Sequence, residues 1–522
     1  MKKIIFLTVI LLYDTFALKG QWTYSSLAVP TDYMGVTVSG SKVYFAGGED
    51  CNDLLSLVEI YDASTGSWNT DENLSVAREL PFATTCGSKV IFAGGVDFYI
   101  TQQVFSTIDI YDTLSGEWTV EELSVPRLQA AVVSHGDTVL FAGGTNYQTG
   151  ATYDIVEMLN VQTGEWSTAM LSEPRTTWWA KVGNLAIFAG GYSDQQSSKR
   201  VDIYNFATQT WSVDSLSVPR AFIGMTTIGN KVLIAGGMVS GNTASNVVDI
   251  YDAVSGSWDT AYLSVARAFA DNQQAVTAGG KAYFVGGGKI DLNEGYWTAA
   301  YDVIDIYEEA TNTWSVDTMP IPIRVHHAVA AADNKVIIAG GYLMEPPYGC
   351  DNAVAIYTCP PSSCLPTGIV FSSQEEIDHF QVNHPTCNEV IGDVIINGTD
   401  ISNLMGLSIL TSIGGNLTIY NTSLTDLTGL ENIAFIGGDF SIGMDFMGCH
   451  GNNSLTSLIG MDSLTTVGGS LNIRCNEILA DLSGIEQLNS IAGDLSIQYN
   501  PALTDCAAQS ICEYLSGPNG EI

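Results

Sequence analysis

The sequence predicts an all-β chain in two parts: a ring of seven four-stranded sheets, then a stacked right-handed β-solenoid. Two periodicities carry this reading. Between residues 20 and 358 an apolar run closes on a Gly pair seven times, at Gly47/Gly48, Gly94/Gly95, Gly143/Gly144, Gly190/Gly191, Gly236/Gly237, Gly286/Gly287 and Gly340/Gly341. From about residue 391 a shorter marker takes over, as in IGGNLTI at 413, IGGDFSI at 436, VGGSLNI at 467 and IAGDLSI at 491. A repeat of roughly 47 residues fits a propeller blade, and one near 23 fits a solenoid coil.

Each blade reads as strands a to d. Strand a is rich in Ala, Gly, Val and Thr, as the crowded innermost position demands, and strand b ends at the Gly pair. Strand c ends in Ile-Tyr-Asp or a variant, with Tyr61, Tyr111, Tyr204, Tyr251, Tyr307 and Tyr357 in the slot and Leu159 replacing Tyr in the third repeat. Seven residues later stands Trp68, Trp118, Trp166, Trp211, Trp258 or Trp314, beyond a turn such as DASTGSW, so c and d form a hairpin whose aromatics fill the wedge between blades. A basic residue follows, usually in Val-Pro-Arg: Arg78, Arg127, Arg175, Arg220, Arg267 and Arg324. A side chain recurring at six equivalent places reads as structural, bonding loop carbonyls. The Gly pairs read the same way, as points where another backbone passes close by.

The seventh unit runs into Cys359-Pro-Pro where its Trp belongs. The missing strand is at the other end, in Gln21-Trp22-Thr-Tyr-Ser-Ser-Leu-Ala-Val-Pro, with Thr31 in the place of the Arg. The N-terminal strand is therefore expected to complete the last blade and leave no open edge.

The run of Gly-Gly, Tyr, Trp and Pro-Arg resembles the kelch repeat over residues 20–358. That resemblance implies a ligand face where the d-to-a connections reach the central axis. The second part, with Leu-x-x-Leu-x-Gly-Leu patterns and Asn421, Asn476 and Asn500 in its turns, resembles the receptor L domain and related leucine-rich repeats over residues 364–515. Its opening segment looks like that domain's N-terminal cap, held by a disulfide. One coil carries about eight extra residues around Met447, Cys449 and His450, which should emerge as a loop. The expected boundaries are a signal peptide at 1–17, the propeller at 18–358, a Pro/Ser/Cys linker at 359–365 and the solenoid at 366–522. The chain stops soon after a helix-like CAAQSICEYL, so either it is released or these 522 residues are an incomplete product.

Met1-Lys2-Lys3, an apolar run of about ten residues and Thr-Phe-Ala read as a secretory signal, too short to span a bilayer. The expected location is secreted or cell surface. Ten cysteines in an exported chain suggest disulfides, and proximity favours Cys364 with Cys387, Cys449 with Cys475, Cys506 with Cys512, Cys350 with Cys359, and Cys51 with Cys86. The charge of −37, from 56 acidic and 19 basic residues, argues against nucleic acid or anionic membranes as partners. Acid pairs such as Glu49-Asp50 are solvated surface charge or, alternatively, calcium ligands; no other cofactor is expected.

No dyad, triad or metal cluster stands out. A kelch-type copper oxidase needs paired histidines and a Tyr-Cys crosslink, but His326 and His327 are adjacent on the expected strand a and point to opposite faces, and only Cys86 falls on an inner strand. Sialidase boxes are mismatched. The candidate binding residues are instead those just after the Arg positions, Tyr33, Gln129, Thr177, Phe222, Phe269 and His326, with loop residues after the Gly pairs, Asp97, Tyr99, Asn146, Tyr147, Tyr192, Tyr296 and Trp297. The function expected is non-catalytic recognition of an extracellular protein or carbohydrate through these loops and the solenoid face. The alternative is a carbohydrate-active enzyme, a sugar mutarotase or oxidase, in the propeller channel.

Overall fold

Seven four-stranded antiparallel sheets form the first part of the protein. The computed structural model describes residues 21–504 apart from 99–100, 194–195, 241, 271–273, 293–295, 310, 360–362, 366, 385–386 and 445–448, and beyond 504 residues 511, 515 and 520. The chain divides into two compact units near Pro360.

Blade 1 shows the pattern: Gly35–Ser39, Lys42–Ala46, Leu57–Asp62 and Ser67–Asn73 pair in chain order. Blades 2 to 6 begin with strand a at Phe82–Cys86, Ala131–His135, Trp178–Val182, Gly224–Ile228 and Ala275–Ala278. Strand b is buried from its second residue onward in every blade, as in Val43 to Ala46, whereas strand d is mostly exposed. The gradient follows position in a ring, since b is sandwiched between neighbouring blades and d lies on the rim.

The seventh sheet consists of Ala328–Ala332, Lys335–Ala339, Ala353–Thr358 and the N-terminal strand Gln21–Ser26. Trp22 stands opposite Tyr357 in the ladder, and their rings lie 5.1 Å apart. The same Tyr–Trp contact recurs at Tyr61–Trp68, Tyr111–Trp118, Tyr204–Trp211, Tyr251–Trp258 and Tyr307–Trp314. In blade 3, where Leu159 replaces Tyr, Trp166 keeps the contact with the strand-b Phe141, at 6.1 Å, that Trp68, Trp211 and Trp314 also make with Phe45, Phe188 and Phe284.

The Gly pairs take positive φ, 62° and 102° at Gly236 and Gly237, and a β-carbon on Gly237 would lie 2.6 Å from the Ala221 carbonyl oxygen. Crowding by the neighbouring backbone therefore selects glycine there without a ligand.

The disulfides require corrections. Cys364–Cys387 and Cys449–Cys475 are formed, but Cys51 pairs with Cys350 rather than Cys86, and Cys359 is not bonded to Cys350. Ring closure brings blades 1 and 7 together, so partners 299 residues apart in sequence become neighbours. Cys86 stays a buried thiol at the end of its strand, 3.1 Å from the Gly136 carbonyl, and Cys359 packs against Tyr283. A second correction concerns His326 and His327. Both precede strand a, which starts at Ala328, with His326 in a left-handed bend at φ 56°. The leader segment, Tyr99, Met447, Cys506 and Cys512 lie outside the described residues.

The second unit is a parallel β-solenoid. One six-stranded ladder runs from Ile369–Phe371 through Val394–Ile396, Leu417–Ile419, Phe440–Ile442 and Leu471–Arg474 to Leu495–Gln498, and a second ladder of two-residue strands starts at Ser363–Cys364. Each coil buries one stack of Leu and Ile. Asn476 and Asn500 donate to the Ile442 and Ile473 carbonyls, and Asn452 to that of Ile419. Asn421 departs from this ladder and bonds the Asn397 side chain instead. The insertion sits between Phe440 and its ladder partner Leu471, tied down by Cys449–Cys475.

Candidate functional site

The loops at the b-to-c and d-to-a ends of the blades meet in a collar, and buried ion pairs fix its geometry. All six arginines after strand d are fully buried. Each pairs with an acid: Arg78 with Asp109 at 2.8 Å, Arg127 with Glu157 at 2.6 Å, Arg175 with Asp202 at 2.7 Å, Arg220 with Asp249, Arg267 with Asp305 at 2.6 Å and Arg324 with Asp351 at 2.7 Å. They also donate to Gly-pair carbonyls, as Arg175 does to Gly190 at 2.8 Å and Arg267 to Gly286 at 2.7 Å. The carbonyl role was legible in the sequence; the carboxylate partners were missed. Their signal is an acid two residues before the Tyr of strand c, present in six repeats as Glu59, Asp109, Glu157, Asp202, Asp249 and Asp305. The acid also accepts the backbone N–H of a serine from the preceding blade, as Asp109 does from Ser75 at 2.9 Å, so each pair rivets two blades.

The ring departs from this rule at its closure. Ala355 occupies the acid slot of blade 7, and Asp351 substitutes from the preceding loop. In blade 1 Thr31 occupies the arginine slot, so Glu59 accepts only backbone N–H groups, including that of Ala28 at 2.8 Å, and burial pushes its carboxyl upward.

The residue two beyond each arginine forms an inner ring. Tyr33, Leu80, Gln129, Phe222 and His326 all adopt φ between 52° and 56°. Leu80 belongs to this set although its apolar side chain gave no sign of it. Neighbouring members are strapped together: Leu80 N–H donates to the Tyr33 carbonyl and Phe269 N–H to that of Phe222, both at 2.8 Å. Thr177 and Phe269 face inward. Thr177 Oγ1 donates to the Ala189 carbonyl, and Phe269 is buried 5.1 Å beneath the Arg267 guanidinium.

Several aromatic candidates come together in an arc. Trp297 stands edge-on to His326 at 5.7 Å, His326 lies on Tyr33 at 3.9 Å, Tyr33 approaches Phe98 at 6.5 Å, and Phe98 approaches Tyr147 at 5.6 Å. This series joins loops of blades 6, 7, 1, 2 and 3. Burial and the neighbouring His327 hold the His326 imidazole near a pKa of about 3, so it serves as a neutral ring whose Nδ1 has no hydrogen-bond partner. Tyr147 is 40% exposed, and its hydroxyl is anchored on the Gln102 carbonyl at 2.8 Å. Tyr296 is exposed beside Trp297. Asn146 is buried as a turn former that accepts the N–H groups of Gln148 and Thr149, and Tyr192 is half-buried on another blade, outside the arc.

Beside the arc lies a group of acids. Asp32, Glu79 and Asp97 are buried, and Glu49 is partly so. The Phe98 backbone N–H approaches the Glu79 carboxyl without reaching full hydrogen-bond geometry at either oxygen. Burial, then the charges of Glu49, Asp32 and Asp97, push the Glu79 carboxyl up to about 8, with the Phe98 backbone N–H pulling the other way. Burial and then Glu49 push Asp32 up to about 8 as well. Carboxyls raised in the folded state bind more protons there than in the unfolded chain, where they titrate near pH 4. Their stabilisation is therefore complete below about pH 4 and is lost as pH rises through about 8. Glu79→Gln is expected to flatten the fall in melting temperature across that window; calorimetric profiles of variant and parent that coincide would contradict this arrangement.

The central channel encloses about 370 Å³ between the seven a strands. Its lining is mostly valine, alanine and threonine, with Ser134, Trp179 and Met225, and Lys181 is the one charged side chain among the described lining residues. Threonine hydroxyls bond across blades there, Thr37 to Thr85 at 3.2 Å and Thr226 to Thr277 at 3.0 Å.

With this geometry in hand, comparison with known families is decisive for one segment. Residues 128–341 match the KLHDC2/KLHL20/DRC7 Kelch-repeats domain model. This segment is a kelch-repeat domain. The kelch match spans blades 3 to 6 and the first two strands of blade 7, and the Gly pairs and Trp positions of blades 1 and 2, with Arg78 between these blades, repeat its features. A solved chain titled "Structure of YjhT" is 14% identical, with 56% of this chain and 99% of that chain covered at a TM-score of 0.45. No curated protein matches the chain.

Proposed function

We propose that this is an exported, non-catalytic recognition protein whose kelch ring takes an extracellular protein or glycan on its collar. The observation that supports this most is the arc from Trp297 through His326, Tyr33 and Phe98 to Tyr147, with rings from five blades held by a rigid collar. Aromatic side chains lose little entropy when they bind, because their few torsions are already fixed. Three disulfides fit an oxidising compartment, in keeping with the leader-like first residues. No described helix is long and apolar enough to cross a membrane.

The double variant Tyr147→Ala, Trp297→Ala should fold normally and weaken binding to an extracellular protein or glycan partner by about 30-fold, the effect of losing a strong aromatic anchor. Arrays of purified extracellular domains and glycans, read with parent and variant, provide the measurement. A parent that binds nothing on either array yet converts a sugar would overturn the reading.

A further inference from the structure

The channel between the a strands is graded along its length. Each strand lines it with three consecutive residues, such as Trp179, Ala180 and Lys181 of blade 4. At roughly 3.4 Å per residue the wall is about 7 Å deep, a depth that an extended hexyl chain fills. At the collar end the contributions are all apolar, Val36, Trp179 and Met225 among them, and all but Trp179 are buried. Next to the a-to-b turns stand Thr85, Ser134, Lys181, Thr227 and Thr277 beside Val38 and Ala331, none of them buried. Past the apolar end the space narrows to about 30 Å³ under Leu80, Phe82 and Trp178. The channel of about 370 Å³ is therefore a cup that opens away from the collar.

The hydroxyls of this cup are occupied with one another or with carbonyls. Thr84 donates to Ser134 at 3.4 Å, Ser134 to the Thr85 carbonyl at 2.6 Å, and Thr227 to the Lys181 carbonyl at 2.8 Å. The Lys181 ammonium differs, since it makes no hydrogen bond or ion pair among the described residues, whereas Lys89 and Lys335 each hold an aspartate. No carboxylate lies in the described lining to answer it. An apolar cavity with one cation at its open end fixes both the chemistry and the direction of a guest.

We propose that the channel binds a small anionic amphiphile, an unbranched aliphatic monocarboxylate, with its tail toward Val36 and Met225 and its head on Lys181. The tail exchanges water for valine, alanine, tryptophan and methionine surface, and the carboxylate accepts charge-assisted hydrogen bonds from the ammonium. The site lies at the opposite end of the a strands from the aromatic arc and does not depend on the recognition reading.

The test is ligand-observed NMR titration of the full chain with acetate, butanoate, hexanoate, hexanol and hexylammonium. Affinity should rise about fourfold per added methylene from acetate to hexanoate, the gain from burying each group. Hexanol should bind about tenfold more weakly than hexanoate, and hexylammonium not at all. Lys181→Met keeps the aliphatic stem and removes the charge, so it should bring hexanoate down to the level of hexanol at unchanged melting temperature, while Lys181→Arg should retain most of the affinity. Tyr147→Ala, Trp297→Ala should bind hexanoate as the parent does. No binding of hexanoate, equal binding of acetate and hexanoate, or an unchanged hexanoate affinity in Lys181→Met would overturn the site. A parent that binds hexanoate in this way yet no partner on the protein and glycan arrays would remove the recognition reading and leave this site standing.

Discussion

Deletion of residues 20–30 is expected to abolish cooperative thermal unfolding of the propeller. The segment supplies the whole outer strand of blade 7, with six residues in register from Gln21 opposite Thr358 to Ser26 opposite Ala353. It also brings Trp22 against Tyr357 and a fully buried Leu27 into the core shared by blades 7 and 1. Within the strand, Ser25 Oγ accepts the Trp68 indole N–H at 2.9 Å, and just beyond it the Leu27 N–H donates to the Asn352 carbonyl at 2.8 Å. Ladder bonds near 1 kcal/mol each and two large apolar side chains near 2 kcal/mol each sum to on the order of 10 kcal/mol, comparable to the stability of a whole domain. Calorimetry of the truncated chain should show a broad, non-two-state transition for the propeller. A sharp transition at the parent temperature would show that the ring does not depend on this strand.

The second large effect is expected at the buried ion pairs. Arg220→Ala leaves Asp249 charged, desolvated and without its cation, and should cost about 3–5 kcal/mol. The same guanidinium donates to the Gly236 and Val247 carbonyls at 2.7 and 2.6 Å, so its loss also orphans acceptors of the collar. Replacing both members, Arg220→Met with Asp249→Leu, should recover much of the loss, because an apolar pair pays no desolvation. Arg200→Ala, which removes a half-exposed arginine 3.6 Å from Glu173, is the matched surface control and should change stability by less than about 1 kcal/mol. Chemical denaturation of the four proteins measures these differences. An Arg220→Ala protein as stable as the control would refute the rivet role.

These two results probe features of unequal legibility. The closing strand could be read because Trp22 and its Val-Pro repeat a local pattern present in the other blades. The ion pairs could be read only by half, since a strand-c acid such as Asp249 lies 29 residues from Arg220 and nothing local links them. Disulfide partners were readable only where they sit one coil apart, as in Cys364–Cys387 and Cys449–Cys475. Cys51 finds Cys350 through closure of the whole ring, and proximity in sequence misassigned both. The binding candidates divide on similar grounds. Exposure of Tyr147 and Tyr296 follows from their loop positions, whereas the inward turn of Thr177 and Phe269 depends on the blade that packs against them. The acid group was represented in advance by Asp97 and Glu49 alone, because Asp32 and Glu79 each follow a residue in the arginine slot and look like ordinary loop polarity.

The Cys51–Cys350 bond makes the polypeptide between those two residues a covalent macrocycle that contains five whole blades and two strands of each of the others. A protease that nicks one exposed loop within it, such as that around Gln148, opens the chain but sheds no fragment, because sulfur still holds the halves together. Clipped molecules should therefore migrate at full mass on a gel run without thiol and split into two bands only once the bond is reduced. For a protein exposed to foreign peptidases, that topology turns a single cut from dismemberment into a scar.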